Sequence, residues 1–132
     1  MPTTNTDTPR LFRLNIEVGD IAEAQAFYEE LLDLEGRPQM GSRCYFDAGP
    51  VTLQVVQTSI PHTAAKALYF VLAELGPVHA RATSLGCLSS EKVHGEPAGQ
   101  SVVRPWGERS FYADDPWGNP LCFVEAGTIY AG

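Results

Sequence analysis

Residues 108–125 read ERSFYADDPWGNPLCFVE. Glu108–Ala113 and Pro120–Glu125 are short runs of aromatic and β-branched character. Asp115-Pro116-Trp117-Gly118-Asn119 between them carries the residues a tight turn requires: Asp to start it, Pro with its fixed φ, and Gly where the backbone must turn left-handed. The stretch therefore predicts a strand, a turn and a final strand with Cys122 at its centre. A terminal hairpin does not define a fold by itself, and its meaning depends on what precedes it.

Upstream, Leu11–Val18 alternates cleanly. Phe12, Leu14, Ile16 and Val18 form an apolar face, and Arg13, Asn15 and Glu17 a polar one. Asp20 then starts a helix, with Glu23 three residues on as in a capping box. Ala24, Phe27, Tyr28 and Leu31 share one side of that helix and should cover the apolar face of the strand. Gly36 lies near its end. Ser42–Ala48 and Val51–Gln57 predict a hairpin about Gly49-Pro50. A polar loop, Ser59–Ala65, follows.

The order then begins again. Leu68, Phe70 and Leu72 alternate with Tyr69, Val71 and Ala73. Glu74-Leu75-Gly76-Pro77 opens a second helix with proline in its first turn. Val78, Ala82 and Leu85 make its inner side and Gly86 ends it. After a Gly/Pro/Glu-rich connection, Ser89–Gln100, come a short strand at Ser101–Arg104 and the hairpin of Glu108–Glu125. LNIEVGD from Leu14 and LYFVLAE from Leu68 open equivalent units. Each half reads strand, helix, then about three strands, a repeat weak in identity and clear in order.

The expected class is α+β, with two tandem βαβββ modules forming one curled sheet around a cavity. Their limits are about 11–58 and 67–126 within a domain at 11–126, flanked by a flexible tail at 1–10 and a C-terminal tail at 127–132. At 132 residues, 44% hydrophobic and 19% charged, the chain is an ordinary globular one. Its net charge of −7 and lack of a basic stripe exclude a nucleic-acid binder, and the acidic balance favours a cationic ligand. Three widely spaced cysteines without a CxxC pair suit reduced thiols in a cytoplasmic protein. No run approaches a membrane span, and the Thr/Asn/Pro-rich start lacks a signal-peptide core.

EVGDIAEAQAFYEELLDLEG early and WGERSFYADDPWGNPLCFVE late resemble the vicinal oxygen chelate superfamily, from about Leu11 to Glu125. That superfamily holds glyoxalase I, extradiol dioxygenases, and fosfomycin- and bleomycin-resistance proteins. The resemblance implies paired βαβββ modules, a homodimer, and four inward strand positions that in the enzymes hold a divalent metal through His, Glu or Gln. The metal polarises paired substrate oxygens. Here those positions fall on Arg13, Gln54 (with Leu53 if the register slips), Ala67 and Cys122. Guanidinium is always cationic and Ala has no donor atom, so at most an amide and a thiol remain, a poor set for such metals. The chain is thus closest in character to the metal-free, bleomycin-resistance-like members, with no cofactor.

The expected function is binding of a small planar molecule, such as an antibiotic or toxic metabolite, by sequestration. The candidate ligand-binding residues are Arg13, Asn15, Glu17, Tyr45, Gln54, Tyr69, Trp106, Phe111 and Cys122. Aromatic rings would stack on the ligand while the polar strand residues orient it. Ordinary core packing for each aromatic, and a solvent-facing Arg13–Glu17 pair, are the plain alternatives. His62, His79 and His94 read as surface residues, Cys122 as a small buried hydrophobe, Trp117 as structural, and Glu29, Glu30, Asp33 and Glu35 as a solvated helix face. Competing functions are a metal enzyme using Gln54, Cys122 and Glu125 in a shifted register, a metal-free isomerase or lyase with Glu17 as base and Arg13 as stabiliser, and a non-catalytic pairing module.

Overall fold

The computed structural model describes residues 8–132. Of the N-terminal tail expected over 1–10, residues 1–7 lie outside the described residues. The first module runs β1 (Arg13–Val18), α1 (Ile21–Leu32), β2 (Arg37–Gln39), β3 (Arg43–Ala48) and β4 (Val51–Gln57). The second runs β5 (Leu68–Leu72), α2 (Gly76–Leu85), β6 (Lys92–Val93), β7 (Glu96–Pro97), β8 (Val102–Val103), β9 (Arg109–Asp114) and β10 (Pro120–Glu125).

Two four-stranded sheets result, ordered β1-β4-β3-β2 and β5-β10-β9-β8. In each, the opening strand lies parallel to the last strand of its own module, and the remaining pairs are antiparallel. The sheets are related element by element, so the α+β class and the repeated βαβββ order hold. β2 and the β6–β7 ribbon are too short to show alternation in sequence. The ribbon turns at His94-Gly95, both at positive φ (49° and 80°), as a primed hairpin turn requires.

Alternation decides burial. Ile16 and Val18 of β1, Cys44 and Phe46 of β3, and Leu53 and Val55 of β4 point to the helices and are buried. Phe111, Ala113, Leu121 and Phe123 do the same in the second sheet. The inner side of α1 is Ala24, Phe27, Tyr28 and Leu31, as its spacing predicts, and α2 contributes Val78 and Ala82. The two helices pack on each other, and one continuous core serves both modules.

The helix ends explain themselves locally. Asp20 accepts a 2.8 Å hydrogen bond from the Glu23 amide. α1 stops at Leu32 with Asp33, not Gly36, in the left-handed conformation (φ 53°). Gly36 has another task. A Cβ there would stand 2.8 Å from Cys44 Sγ and 2.9 Å from Phe46 Cζ, so only glycine lets the chain reach the sheet. Glu29, expected on a solvated face, fastens this connection by accepting from the Gly36 amide at 3.0 Å and from Gln25 Nε2 at 3.2 Å. Arg81 of α2 donates to the Leu31 carbonyl at 3.0 Å, satisfying an end group of α1.

The modules are joined at the Asp115–Asn119 turn. Asp115 is buried, and its carboxylate accepts from the Trp117 amide (2.9 Å), the Asn119 amide (2.8 Å), Asn119 Nδ2 (2.8 Å) and the Tyr28 hydroxyl (2.7 Å). Asn119 Nδ2 also donates to the Glu17 carbonyl (2.9 Å), and Asn119 Oδ1 accepts from the Ala64 amide (2.8 Å). Burial, then the Asp115 charge, pushes the Tyr28 phenol far above its ordinary range, so it stays a donor. Trp117 is structural, as expected, but its partner is Gly19: a Cβ there would meet the indole nitrogen at 2.6 Å. The segment after β10 is tied down too, with Thr128 Oγ1 accepting from the Arg109 amide and Glu108 from the Tyr130 amide.

Tyr28→Phe should cost about 1.5–3 kcal/mol, the worth of a hydrogen bond to a charged group. Asp115→Ala strands four donors and should cost about 3 kcal/mol or more. Urea unfolding followed by circular dichroism measures both. Losses within the range of a neutral surface change would show that the turn does not join the modules.

Candidate functional site

Each sheet turns its other face away from the helices. In the first sheet that face carries a cross-strand row, Asn15 on β1, Gln54 on β4, Tyr45 on β3 and Arg37 on β2, in direct register. Gln54 is buried and donates from Nε2 to Asn15 Oδ1 at 2.7 Å, which fixes its amide orientation. The Arg13 guanidinium lies 5.1 Å from the Tyr45 ring centre and that of Arg37 5.8 Å, so two cations approach the tyrosine ring. Arg37 is paired with Asp47 at 2.7 Å. Arg43 shares this face, its position opposite Val56 on β4.

The second sheet repeats the row. Tyr69 on β5, Cys122 on β10 and Tyr112 on β9 are in register, in the places of Asn15, Gln54 and Tyr45. The tyrosine hydroxyls lie 3.4 Å apart. Cys122 is wholly buried, and that burial pushes its thiol up to about 11. Hydrogen bonds with Tyr112 and Ser110 and the nearby Arg104 charge pull the other way without prevailing. It is a neutral thiol at physiological pH, neither a nucleophile nor a ready metal ligand.

The structure thus brings Arg13, Asn15, Tyr45 and Gln54 together on one sheet, and Tyr69 and Cys122 together on the other. Glu17 lies at the end of β1 and is already engaged. Its Oε1 accepts from the His62 amide at 2.8 Å and lies 3.4 Å from both Thr58 Oγ1 and His62 Nδ1. The His62 backbone contact is the main reason its carboxyl sits below the ordinary range. Trp106 stands in the turn before β9, donating to Glu108 Oε1 at 2.8 Å, with His94 edge-on at 5.4 Å.

Phe111 is a correction. It is wholly buried on the helix side, stacked on Phe123 at 5.2 Å, because Ser110 and Tyr112 take the outward places on β9. His79 is a second. Expected at the surface, it is half-buried, with Nε2 2.9 Å from the Gly99 carbonyl oxygen and its ring edge-on to Phe111. The cavity expected inside a single curled sheet is not what a lone chain presents, since the two sheets are separate. A cleft of about 560 Å³ instead lies between the β3–β4 hairpin and β5, lined by apolar groups including Leu14, Leu53, Phe70 and Phe123.

Sequence reasoning missed Arg104. Only 2% exposed, it donates from Nε to Ser110 Oγ (3.1 Å) and from Nη2 to the carbonyls of Ala98, Gln100 and Ser110 (3.2, 3.2 and 3.0 Å). Its guanidinium lies 5.5 Å from the Tyr112 ring centre. In sequence it sits beside Pro105 after a two-residue strand, and nothing there signals burial.

The residues do not fit a divalent metal. Register makes Gln54 and Cys122 equivalent, and Arg13 and Ala67 equivalent two residues before Asn15 and Tyr69, so the resemblance-derived positions are internally consistent. They offer a guanidinium, an amide already turned to Asn15, a methyl group and a protonated thiol. Among the described residues no group of three or more His, Cys, Asp or Glu side chains is placed to hold a metal ion.

No family sequence model and no curated protein matches the chain. Solved structures do. A glyoxalase/bleomycin resistance protein from Albidiferax ferrireducens T118 is 19% identical, with a TM-score of 0.71 over 87% of this chain and 98% of that one. A lactoylglutathione lyase from Agrobacterium tumefaciens is 20% identical, with a TM-score of 0.65 over 95% and 98%. A genomically encoded fosfomycin resistance protein from Listeria monocytogenes is 15% identical, with a TM-score of 0.69 over 90% and 94%. The chain therefore has the glyoxalase/bleomycin-resistance fold, the fold of the vicinal oxygen chelate superfamily. No helix among the described residues is long and apolar enough to cross a membrane.

The Glu17–His62 contact gives a pH dependence with a defined sign. A folded value below the unfolded one means that Glu17 stabilises above the unfolded value and that this is lost as pH falls through the folded one. Protection of the His62 amide, taken relative to its intrinsic exchange rate, should fall as acidification protonates Glu17, at a pH below the ordinary glutamate range. In Glu17→Ala, which removes the acceptor, the amide should be poorly protected throughout and without that step. An unchanged pH profile in the variant would show that Glu17 does not hold the loop.

Proposed function

We propose that this chain is a metal-free small-molecule-binding protein of the glyoxalase/bleomycin-resistance superfamily, acting stoichiometrically on a planar compound. The observation that carries this reading is the pair of equivalent rows, Asn15–Gln54–Tyr45 and Tyr69–Cys122–Tyr112. Each combines aromatic surface with one polar group at the centre, and neither has a metal donor set. Tyr45, Tyr69 and Tyr112 would stack on the ligand, Asn15, Gln54 and Arg13 would orient it, and Trp106 would close the rim. Sequestration of an antibiotic or other toxic compound is the use such a protein would serve.

A homodimer belongs to the proposal. β1 and β5 each end a sheet, and Phe12, Tyr69 and Val71 beside them are more than half exposed. A second copy covering those edges would enclose the open rows. The cytoplasm is the compartment in which three free, buried thiols persist reduced.

The enzyme reading is weaker on two counts. Glu17 as a base needs a carboxyl raised toward neutrality, and its contacts lower it. Metal chemistry needs donors that Arg13 and Ala67 do not provide. The lyase and the fosfomycin resistance protein above share the fold, which carries many chemistries.

The test is isothermal titration with planar aromatic compounds alongside elemental analysis of protein offered Zn, Ni, Mn and Fe. Binding should saturate at one compound per site, unchanged on recovery, with less than about a tenth of an equivalent of metal retained. Tyr45→Ala should weaken binding by about 1–3 kcal/mol, as loss of a stacking aromatic does. Multiple turnovers, or one metal per chain lost in Gln54→Ala, would replace this reading with an enzyme.

A further inference from the structure

Arg104 lies against the second sheet's open face with its hydrogen bonding incomplete. Ser110, Tyr112 and Cys122 project from that face, and the guanidinium bonds the first, overlies the second and acts electrostatically on the third. Four hydrogen bonds occupy Nε and Nη2. Nη1 is buried with no partner, the only such side-chain atom found among the described residues. No carboxylate pairs with this cation among the described residues. The acidic neighbour, Glu108, is taken up by Trp106 Nε1 and the Tyr130 amide, each at 2.8 Å. A buried guanidinium met only by carbonyl and hydroxyl dipoles retains an unmet demand for an anion.

We propose that Arg104 Nη1 holds the negative group of the ligand, and that the ligand is therefore a planar organic acid rather than a cation; this deepens the binding reading above and rests on it. On this proposal the ligand enters by displacing Tyr112, whose ring the guanidinium overlies and whose hydroxyl lies 3.4 Å from that of the exposed Tyr69. A carboxylate entering there gains a charge-assisted bond from Nη1 while its ring stacks between the tyrosines. The charge at the opposite row has the same sign. Arg13 and Arg43 lie on that face without a carboxylate partner among the described residues, and Asp47 is spent on Arg37. The net charge of −7 describes the whole molecule, whereas the open faces present cations locally.

The test titrates the full chain by calorimetry with three probes of one shape, 2-naphthoate, 2-naphthamide and 2-naphthyltrimethylammonium, at constant ionic strength. Naphthoate should bind at least about tenfold more tightly than the amide, or 1.4 kcal/mol, and the ammonium weakest. Arg104→Lys should lose about that factor for naphthoate and leave the amide unchanged. Should that variant not fold, nitrogen-15 NMR of the arginine side chains in the native protein decides: naphthoate must shift the Arg104 guanidinium signals. Equal affinity for the three probes, or naphthoate binding with those signals unmoved, overturns the assignment and leaves the binding reading standing. Binding of none of the three overturns both.

Discussion

The fold depends on a buried carboxylate with no cationic partner among the described residues. Asp115 is held by four donors, three from its own turn and one, Tyr28, from the first helix. Such a charge is tolerated only when its lone pairs are used, so the Tyr28 hydroxyl couples the first helix to the turn. Asn119 extends the constraint by bonding the Glu17 carbonyl and the Ala64 amide. One turn thus fixes the end of β1, the inter-module loop and the last hairpin. Trp117 against Gly19 seals the same junction with apolar contact. The turn that looks like a functional signature in sequence is a fastener, and it positions both open faces without belonging to either.

From that junction, strand alternation does the rest. The parallel pairing of β1 with β4 and of β5 with β10 places Asn15 beside Gln54 and Tyr69 beside Cys122. Tyr45 and Tyr112 then fall in equivalent places, and each is overlaid by arginine. The arginines come from unrelated positions, Arg13 and Arg37 in one module and Arg104 in the other. The symmetry is one of chemistry built on a shared backbone, invisible to any residue-by-residue comparison of the halves.

This explains what the sequence could disclose. Arg13–Val18 alternates polar with apolar, so its faces were legible, as were the cap at Asp20 and the inner side of α1. Ser110-Phe111-Tyr112-Ala113 offers two aromatics in succession, so period-two reading cannot choose a face. Only the opposition of Phe111 to Phe123 and of Tyr112 to Cys122 settles it. His79 and Arg104 were illegible for another reason. Both are covered by residues 98–100, a stretch without periodicity whose course depends on the finished sheet. Phe111 and Arg104 therefore exchange standing between sequence and structure: the aromatic joins the core, and the charged residue joins the open face.

The different cover on the two rows has a physical consequence. In the first sheet the guanidinium groups of the exposed Arg13 and Arg37 lie over Tyr45 and remain in contact with water. In the second, residues 98–100 wrap Arg104 with carbonyls and shut water out. A charge in that setting interacts more strongly than one at the surface, because solvent no longer screens it. A ligand spanning both rows would find adaptable contacts on one side and a fixed, desolvated donor on the other. Selectivity would then come from the second module and breadth of shape from the first. This division follows from burial alone.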